Sequence, residues 1–317
     1  MLCRLGCLTL FCWFAVIVPG PAADKPRATE VTVRGDLPYR EGPSKQWRLD
    51  LAMPKDRGGK ARPAVLIIHG GGWVEGDKSS FALRKYGVPI NIEDLAALGF
   101  VAVTINYRLS GEAPFPAALE DCKCAVRWLR AHAKEYHLDP DHIGAYGNSA
   151  GGHLALLLGM VGKEAGLEGD GPYQNESSRV QAAVSDSGPV DMLAQDRQGR
   201  LRGVVRQFLG GPPEGERAAV YKKASPLHCI TGDTPPLLLI YGGADDQVPV
   251  ETADEFVLAL GRAGLKDVTY HRLAYVYHCP HSLVRLPAMR AAVDEFLVRT
   301  LLHPEKARQV QRAFGSR

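Results

Sequence analysis

His142-Ile-Gly-Ala-Tyr-Gly-Asn-Ser-Ala-Gly-Gly-His153 is the stretch on which the rest of the chain is organised. Ile143, Ala145 and Tyr146 are apolar and strand-like, and His153-Leu-Ala-Leu-Leu-Leu158 opens an apolar run without Gly or Pro that suits a buried helix. Between them stands Gly147-Asn-Ser-Ala-Gly151, a G-x-S-x-G pentapeptide. A sharp strand-to-helix turn forces its central residue into strained backbone angles, and only small neighbours avoid a clash there. Gly147 and Gly151 supply that smallness, so the turn is expected to hold the Ser149 hydroxyl clear of the sheet at a helix N-terminus. The N–H of Ala150 would then be free to receive an oxyanion. In a chain with 34 glycines the bare pattern is weak, and its weight comes from the strand before it and the helix after it.

Outward from this turn the strand and helix signals alternate. Thr29–Arg34 and Gln46–Met53 alternate apolar and polar residues as edge strands do. Ala64–Ile68 is continuously apolar, as a strand buried on both faces of a parallel sheet is, and Phe100–Ile105 reads as another buried strand. Helices are expected over Ile92–Leu98, from Pro116 to His132, over Thr252–Gly261 and over Ala288–Leu302, with further strands at Val180–Val184, Leu237–Tyr241 and Asp267–Val276. Such alternation predicts βαβ units around a mostly parallel sheet. Two stretches break the rhythm: polar Gly162–Ser178, and Asp191–Ile230 with Arg197, Arg200, Arg202 and Arg206. Both are expected over the C-terminal edge of the sheet, where such folds build pockets. The arginines read as a solvated helix face, or alternatively as a site for an anionic group.

At the N-terminus, Arg4 precedes an apolar run from Leu8 to Val18 broken only by Thr9, and Pro19-Gly-Pro-Ala-Ala23 follows. This is the pattern of a secretory signal peptide over residues 1–23, too short to span a bilayer comfortably. Residues 24–317 then read as a single catalytic domain, secreted or periplasmic, with no membrane attachment after cleavage. A formal net charge of +3, from scattered basic residues, gives no case for nucleic acid. Cys122, Cys124, Cys229 and Cys279 outlast the signal and are too sparse for a disulfide framework, although one bridge is open. Cys122 and Cys124 lie two residues apart on a helix and point in different directions. No Cys/His spacing resembles a zinc site, so neither metal nor cofactor is expected.

A serine hydroxyl is a poor nucleophile at neutral pH unless a histidine takes its proton and a carboxylate orients that histidine. Asp245 follows the strand Leu237–Tyr241 in a Gly-rich turn and is the expected acid, with Asp186 a weaker candidate. Tyr277-His-Cys-Pro-His-Ser282 offers two bases. His281 is preferred because it stands further into the loop, from which a base reaches into a site, and His278 is the alternate. His69-Gly-Gly-Gly-Trp73 ends a strand with three glycines whose N–H groups can approach a ligand closely. In hydrolases with this arrangement such a loop supplies the second donor of an oxyanion hole; His69 is expected to brace the loop, and Trp73 to line the substrate side.

Together, His69–Trp73, Asn106-Tyr-Arg-Leu109, Pro114-Phe-Pro-Ala117, Asp121-Cys122, Trp128-Leu129, Asp139-Pro-Asp-His-Ile143 and Gly147–His153 resemble the secreted bacterial α/β-hydrolase esterases. That group is similar to acetyl-xylan and feruloyl esterases and to hormone-sensitive-lipase-like carboxylesterases. The resemblance covers most of the chain from about Trp47 onward. It implies an α/β-hydrolase fold, with a mostly parallel central sheet flanked by helices and a small lid after the sixth strand. It also implies Ser149 as nucleophile, Asp245 as acid, a late-loop histidine as base, and the N–H groups of Gly71, Gly72 and Ala150 as the oxyanion hole. His278-Cys-Pro-His281 departs from the simpler Gly-x-Gly-His, which leaves His281 and His278 both open. The expected activity is serine carboxylesterase, acting on a small-molecule or carbohydrate ester. An amidase or formamidase, an exopeptidase on the same fold, and a non-catalytic binding module are the alternatives.

Overall fold

The computed structural model describes residues 30–56, 58–82 and 88–303; the expected signal peptide lies outside them. In chain order the principal elements are strands β1 Val31–Pro38, β2 Arg48–Pro54 and β3 Arg62–Ile68, helix α1 Ile92–Ala97, strand β4 Val101–Ile105, and helices α2 Ala117–Ala131 and α3 Ala133–Tyr136. Strand β5 Leu138–Asn148, helix α4 Ala150–Met160, strand β6 Ala182–Asp186, and helices α5 Met192–Gln198, α6 Arg202–Phe208 and α7 Arg217–Lys223 follow. Strand β7 Leu237–Gly242, helix α8 Val250–Arg262, strand β8 Val268–Leu273 and helix α9 Pro287–Leu297 complete the fold.

The eight strands form one sheet in the order β1-β2-β4-β3-β5-β6-β7-β8. β1 pairs antiparallel with β2, and β2 antiparallel with β4; the other pairs are parallel. This is the α/β-hydrolase fold that the motifs imply. The mainly apolar runs of β3, β4 and β7 follow from it, because helices cover both faces and every residue of β4 and β7 is buried, Thr104 of β4 included. On one face, α2 and α4 bury Leu119, Val126, Leu154 and Leu158. On the other, α1 and α9 pack Leu95, Phe296 and Leu297 against Val65, Ile67 and Val184.

The insertion after the sixth strand is α5, α6 and α7. Two of its arginines are spent on the insertion itself: Arg206 pairs with Asp196 at 2.8 Å, and Arg202 donates to the carbonyls of Asp196 and Arg197. Arg200 pairs with Asp246. The solvated-face reading therefore holds. Gly162–Ser178 does not lie over the C-terminal edge of the sheet. It joins the end of α4 to the start of β6, and a helix that packs back along a parallel strand ends at the opposite edge. There Glu168 meets Lys123 and Arg127 of α2, both at 2.6 Å. The four cysteines of the described residues are all free.

Candidate active site

β5 ends on Asn148, Ser149 follows at φ 51° and ψ −122°, and α4 begins at Ala150. A Cβ on Gly147 would stand 2.1 Å from the carbonyl oxygen of Gly151, and one on Gly151 would stand 2.0 Å from that of Ile68. Neither contact is sterically possible, so the turn needs both glycines. The strain at Ser149 is held from the next strand, where the carbonyl of Asp186 accepts the Ser149 N–H at 2.8 Å. Ser149 lies on the wall of a cleft of about 560 Å³.

The loop after β3 forms another wall. Gly71 has φ +104° and its carbonyl accepts the N–H groups of both Val74 and Glu75 at 3.1 Å. A Cβ on Gly71 would meet the carbonyl oxygen of Glu75 at 2.2 Å, so this tight turn also requires glycine. Gly70 is fixed by its N–H, which donates to Asn148 Oδ1 at 2.9 Å. The N–H groups of Gly71, Gly72 and Ala150 donate to no acceptor among the described residues. His69 braces the loop: Nδ1 donates to the Gly70 carbonyl at 2.7 Å and the ring stacks on Tyr107 at 4.4 Å. Burial lowers its pKa, so it is neutral near pH 7.

The turn after β7 supplies the carboxylate. Asp245 Oδ1 accepts the N–H groups of Gln247 and Val248 at 2.9 Å, which fixes the side chain. Asp245 Oδ2 accepts from Nδ1 of His278 at 2.6 Å. An acid on Nδ1 leaves the lone pair on Nε2. That Nε2 has no hydrogen-bond partner among the described residues, Ser149 Oγ included, yet His278 and Ser149 line the same cleft.

The structure corrects the preference for His281. That side chain is turned into the protein, where Nδ1 meets the Tyr146 hydroxyl at 2.9 Å, and it has no contact with Asp245. Burial first, and the charge of Arg290 second, push its pKa down to about 3. The reason lies in the turn itself. Cys279 sits at φ 54°, and Asp186 captures the N–H groups of His281 and Ser282 at 3.2 and 2.8 Å. Asp186, the weaker candidate for the acid, contacts neither imidazole. Burial raises it to about 6 against the hydrogen bonds it accepts. The two histidines do not share a metal site either: no group of three His, Cys, Asp or Glu side chains among the described residues could hold an ion.

Trp73 is corrected as well. It has φ 60°, and its indole is buried under the loop, stacked on Phe208 at 4.3 Å and edge-on to His153 at 5.2 Å. It is a support for the glycine loop and not a surface of the cleft. The apolar cleft wall comes instead from Val74, Phe81, Val88, Leu201, Val204 and Leu283, with Glu75, Ser80 and Gln247 adding polar groups. Leu201 and Val204 belong to the insertion. Nothing local marks them, since they are ordinary apolar residues in an arginine-rich stretch.

A profile of the BD-FAE family matches residues 49–260. The probable carboxylic ester hydrolase LipM of Mycobacterium tuberculosis is 32% identical over 239 residues, which is 74% of this chain and 54% of that protein. The chain spans about half the length of that relative. Among solved structures, a truncated carbohydrate esterase from gut microbiota superposes with a TM-score of 0.74 at 27% identity, over 90% of this chain and 100% of that one. Thermogutta terrifontis esterase 2, phosphonylated by sarin, superposes with a TM-score of 0.68 at 28% identity, over 87% of this chain and 97% of that one.

Proposed function

The chain belongs to the BD-FAE family, and from that premise we propose that it is a serine carboxylesterase working through an acyl-enzyme. The observation that carries the proposal is the 2.6 Å contact between Asp245 and His278 in a cleft shared with the strained Ser149. Asp245 holds the tautomer in which Nε2 can accept a proton. Ser149 Oγ attacks the ester carbonyl carbon as its proton passes to His278 Nε2. The resulting oxyanion receives the N–H groups of Gly71, Gly72 and Ala150. Each such donor is worth about 10²- to 10³-fold in rate. As the tetrahedral intermediate collapses, His278 returns the proton to the leaving alcohol. A water then repeats the sequence on the acyl-enzyme and releases the acid. The separation of Nε2 from Ser149 Oγ is no obstacle, because hydrogen bonds of this kind tighten when substrate binds.

A cleft of about 560 Å³ is in the range of small-ligand sites, and its largely aliphatic wall suits a short acyl group. The alcohol is a small molecule or a carbohydrate, as in the carbohydrate esterase whose structure superposes. We place the enzyme outside the cytoplasm, on the signal-like segment at residues 1–23. Fractionation of expressing cells with N-terminal sequencing checks that placement: protein confined to the cytoplasm with Met1 retained removes it. For the activity, Ser149→Ala is expected to abolish p-nitrophenyl acetate hydrolysis in a protein with unchanged circular dichroism. Hydrolysis that survives in that variant overturns the assignment. A panel of acetyl, butyryl and feruloyl esters on sugars and simple alcohols, with matched amides, then sorts the substrate.

A further inference from the structure

Asp186 ends β6 beside Asn148, the last residue of β5. It is fully buried and forms no ion pair with Lys or Arg among the described residues. A carboxylate in such a place is tolerated only where hydrogen bonds replace its water. Those bonds converge from one turn. Oδ1 accepts the N–H of His281 at 3.2 Å, and Oδ2 accepts the N–H and the hydroxyl of Ser282 at 2.8 and 2.6 Å. Its backbone carbonyl accepts the Ser149 N–H at 2.8 Å and the Cys279 thiol at 3.4 Å. Ser187, next in the chain, accepts the N–H of Cys279 on its hydroxyl at 3.1 Å. The end of β6 is thus bonded on one side to the backbone of Ser149 and on the other to Cys279, His281 and Ser282, which follow His278.

The Asp245 contact fixes the tautomer of His278. It does not fix how far the turn bearing that ring stands from the elbow bearing Ser149. We propose that Asp186 is a positioning residue that clamps the His278 turn to the nucleophile elbow and so sets the separation of base and nucleophile. The inference rests on the esterase reading of the site. Asp186 acts through other groups and touches neither substrate nor the His278 ring.

Asp186→Asn keeps the shape but turns one acceptor oxygen into a donor that faces an N–H or a hydroxyl. The expected result is a fall in kcat on p-nitrophenyl acetate of roughly a hundredfold, the scale set by an ångström of misplacement, with little change in KM. Labelling of Ser149 by a fluorophosphonate should slow in parallel, because it needs the same base. Ser282→Ala removes only the hydroxyl that donates to Oδ2. It should show a smaller fall in the same two rates, and it serves if the Asp186 variant does not fold. Wild-type kcat and labelling rate in either folded variant, or a loss confined to KM or to melting temperature, overturns the clamp. Ser149→Ala in the same assay separates the two claims. An inactive Ser149→Ala beside an unimpaired Asp186→Asn overturns the clamp alone, whereas an active Ser149→Ala overturns the esterase assignment and the clamp with it.

Discussion

Asp245 and His278 are 33 positions apart and meet at 2.6 Å, while His281, three residues further on, is bonded to Tyr146 in the protein interior. One tight turn gives the two imidazoles opposite duties. His278→Ala should therefore lower kcat about 10⁴-fold or more, and Asp245→Asn by about 10⁴-fold through the wrong tautomer. His281→Gln should instead lower stability by about 1–3 kcal/mol, the cost of disturbing a buried hydrogen bond, and leave most of kcat. Steady-state kinetics and urea unfolding on the three variants check this division. A His281 variant as inactive as the His278 variant would reverse the two roles. Cys279, between them, is no rival nucleophile, since burial pushes its thiol pKa well up and keeps it protonated.

At the scale of elements, the loop after β3 and the insertion after β6 meet at one contact. A Cβ on Gly72 would stand 2.8 Å from Val204 Cγ1, so α6 rests directly on the oxyanion loop. Val204 and Leu201 thereby make the insertion a wall of the cleft, and on the proposed esterase reading that wall is expected to limit acyl length. Val204→Ala is expected to raise kcat/KM for butyrate relative to acetate, by roughly fourfold for each methylene newly buried at about 0.8 kcal/mol. Val204→Trp is expected to lower it. A p-nitrophenyl ester series reads both variants, and an unchanged ratio in both removes α6 from the acyl site. The same packing explains Trp73. With Phe208 of α6 stacked on its indole, it ties the insertion to the glycine loop from beneath.

For the whole molecule, buried titratable groups of opposite sign shape the response to acid. Burial holds His153 down at about 4 in the folded protein, against an ordinary value of 6.5. Between those values the unfolded chain binds one more proton at this position than the folded one, so stability falls as pH falls through the window. Asp186 has the opposite sign: raised from 3.8 to about 6, it binds its proton in the folded state first, and its contribution falls as pH rises through that range. His153→Asn should thus flatten the dependence of unfolding free energy on pH between about 4.5 and 6, by on the order of 1 kcal/mol per pH unit, and Asp186→Asn should steepen it. Urea titrations across that range measure both slopes. Equal slopes in wild type and both variants would show that neither group titrates as its burial requires.

Sequence alone determined the parts that depend on neighbours along the chain. The elbow at Ser149 is legible because two glycines, a strand and a helix stand in fixed order, and the sheet because short apolar runs such as Leu237–Tyr241, bounded by Pro and Gly, suit strands buried on both faces. Asp245 is legible for the same reason, as a carboxylate in the turn that ends a buried strand. What only the tertiary structure decided depends on partners distant in sequence. Which histidine meets Asp245 was set by Asp186, 95 positions before His281, drawing the backbone of that turn inward. Whether Trp73 faces substrate or core was set by Phe208, and Gly162–Ser178, carried to the opposite edge by the end of α4, is pinned there by Lys123 and Arg127. A side chain's direction in a loop is chosen by what packs against it, and loop composition carries no record of that.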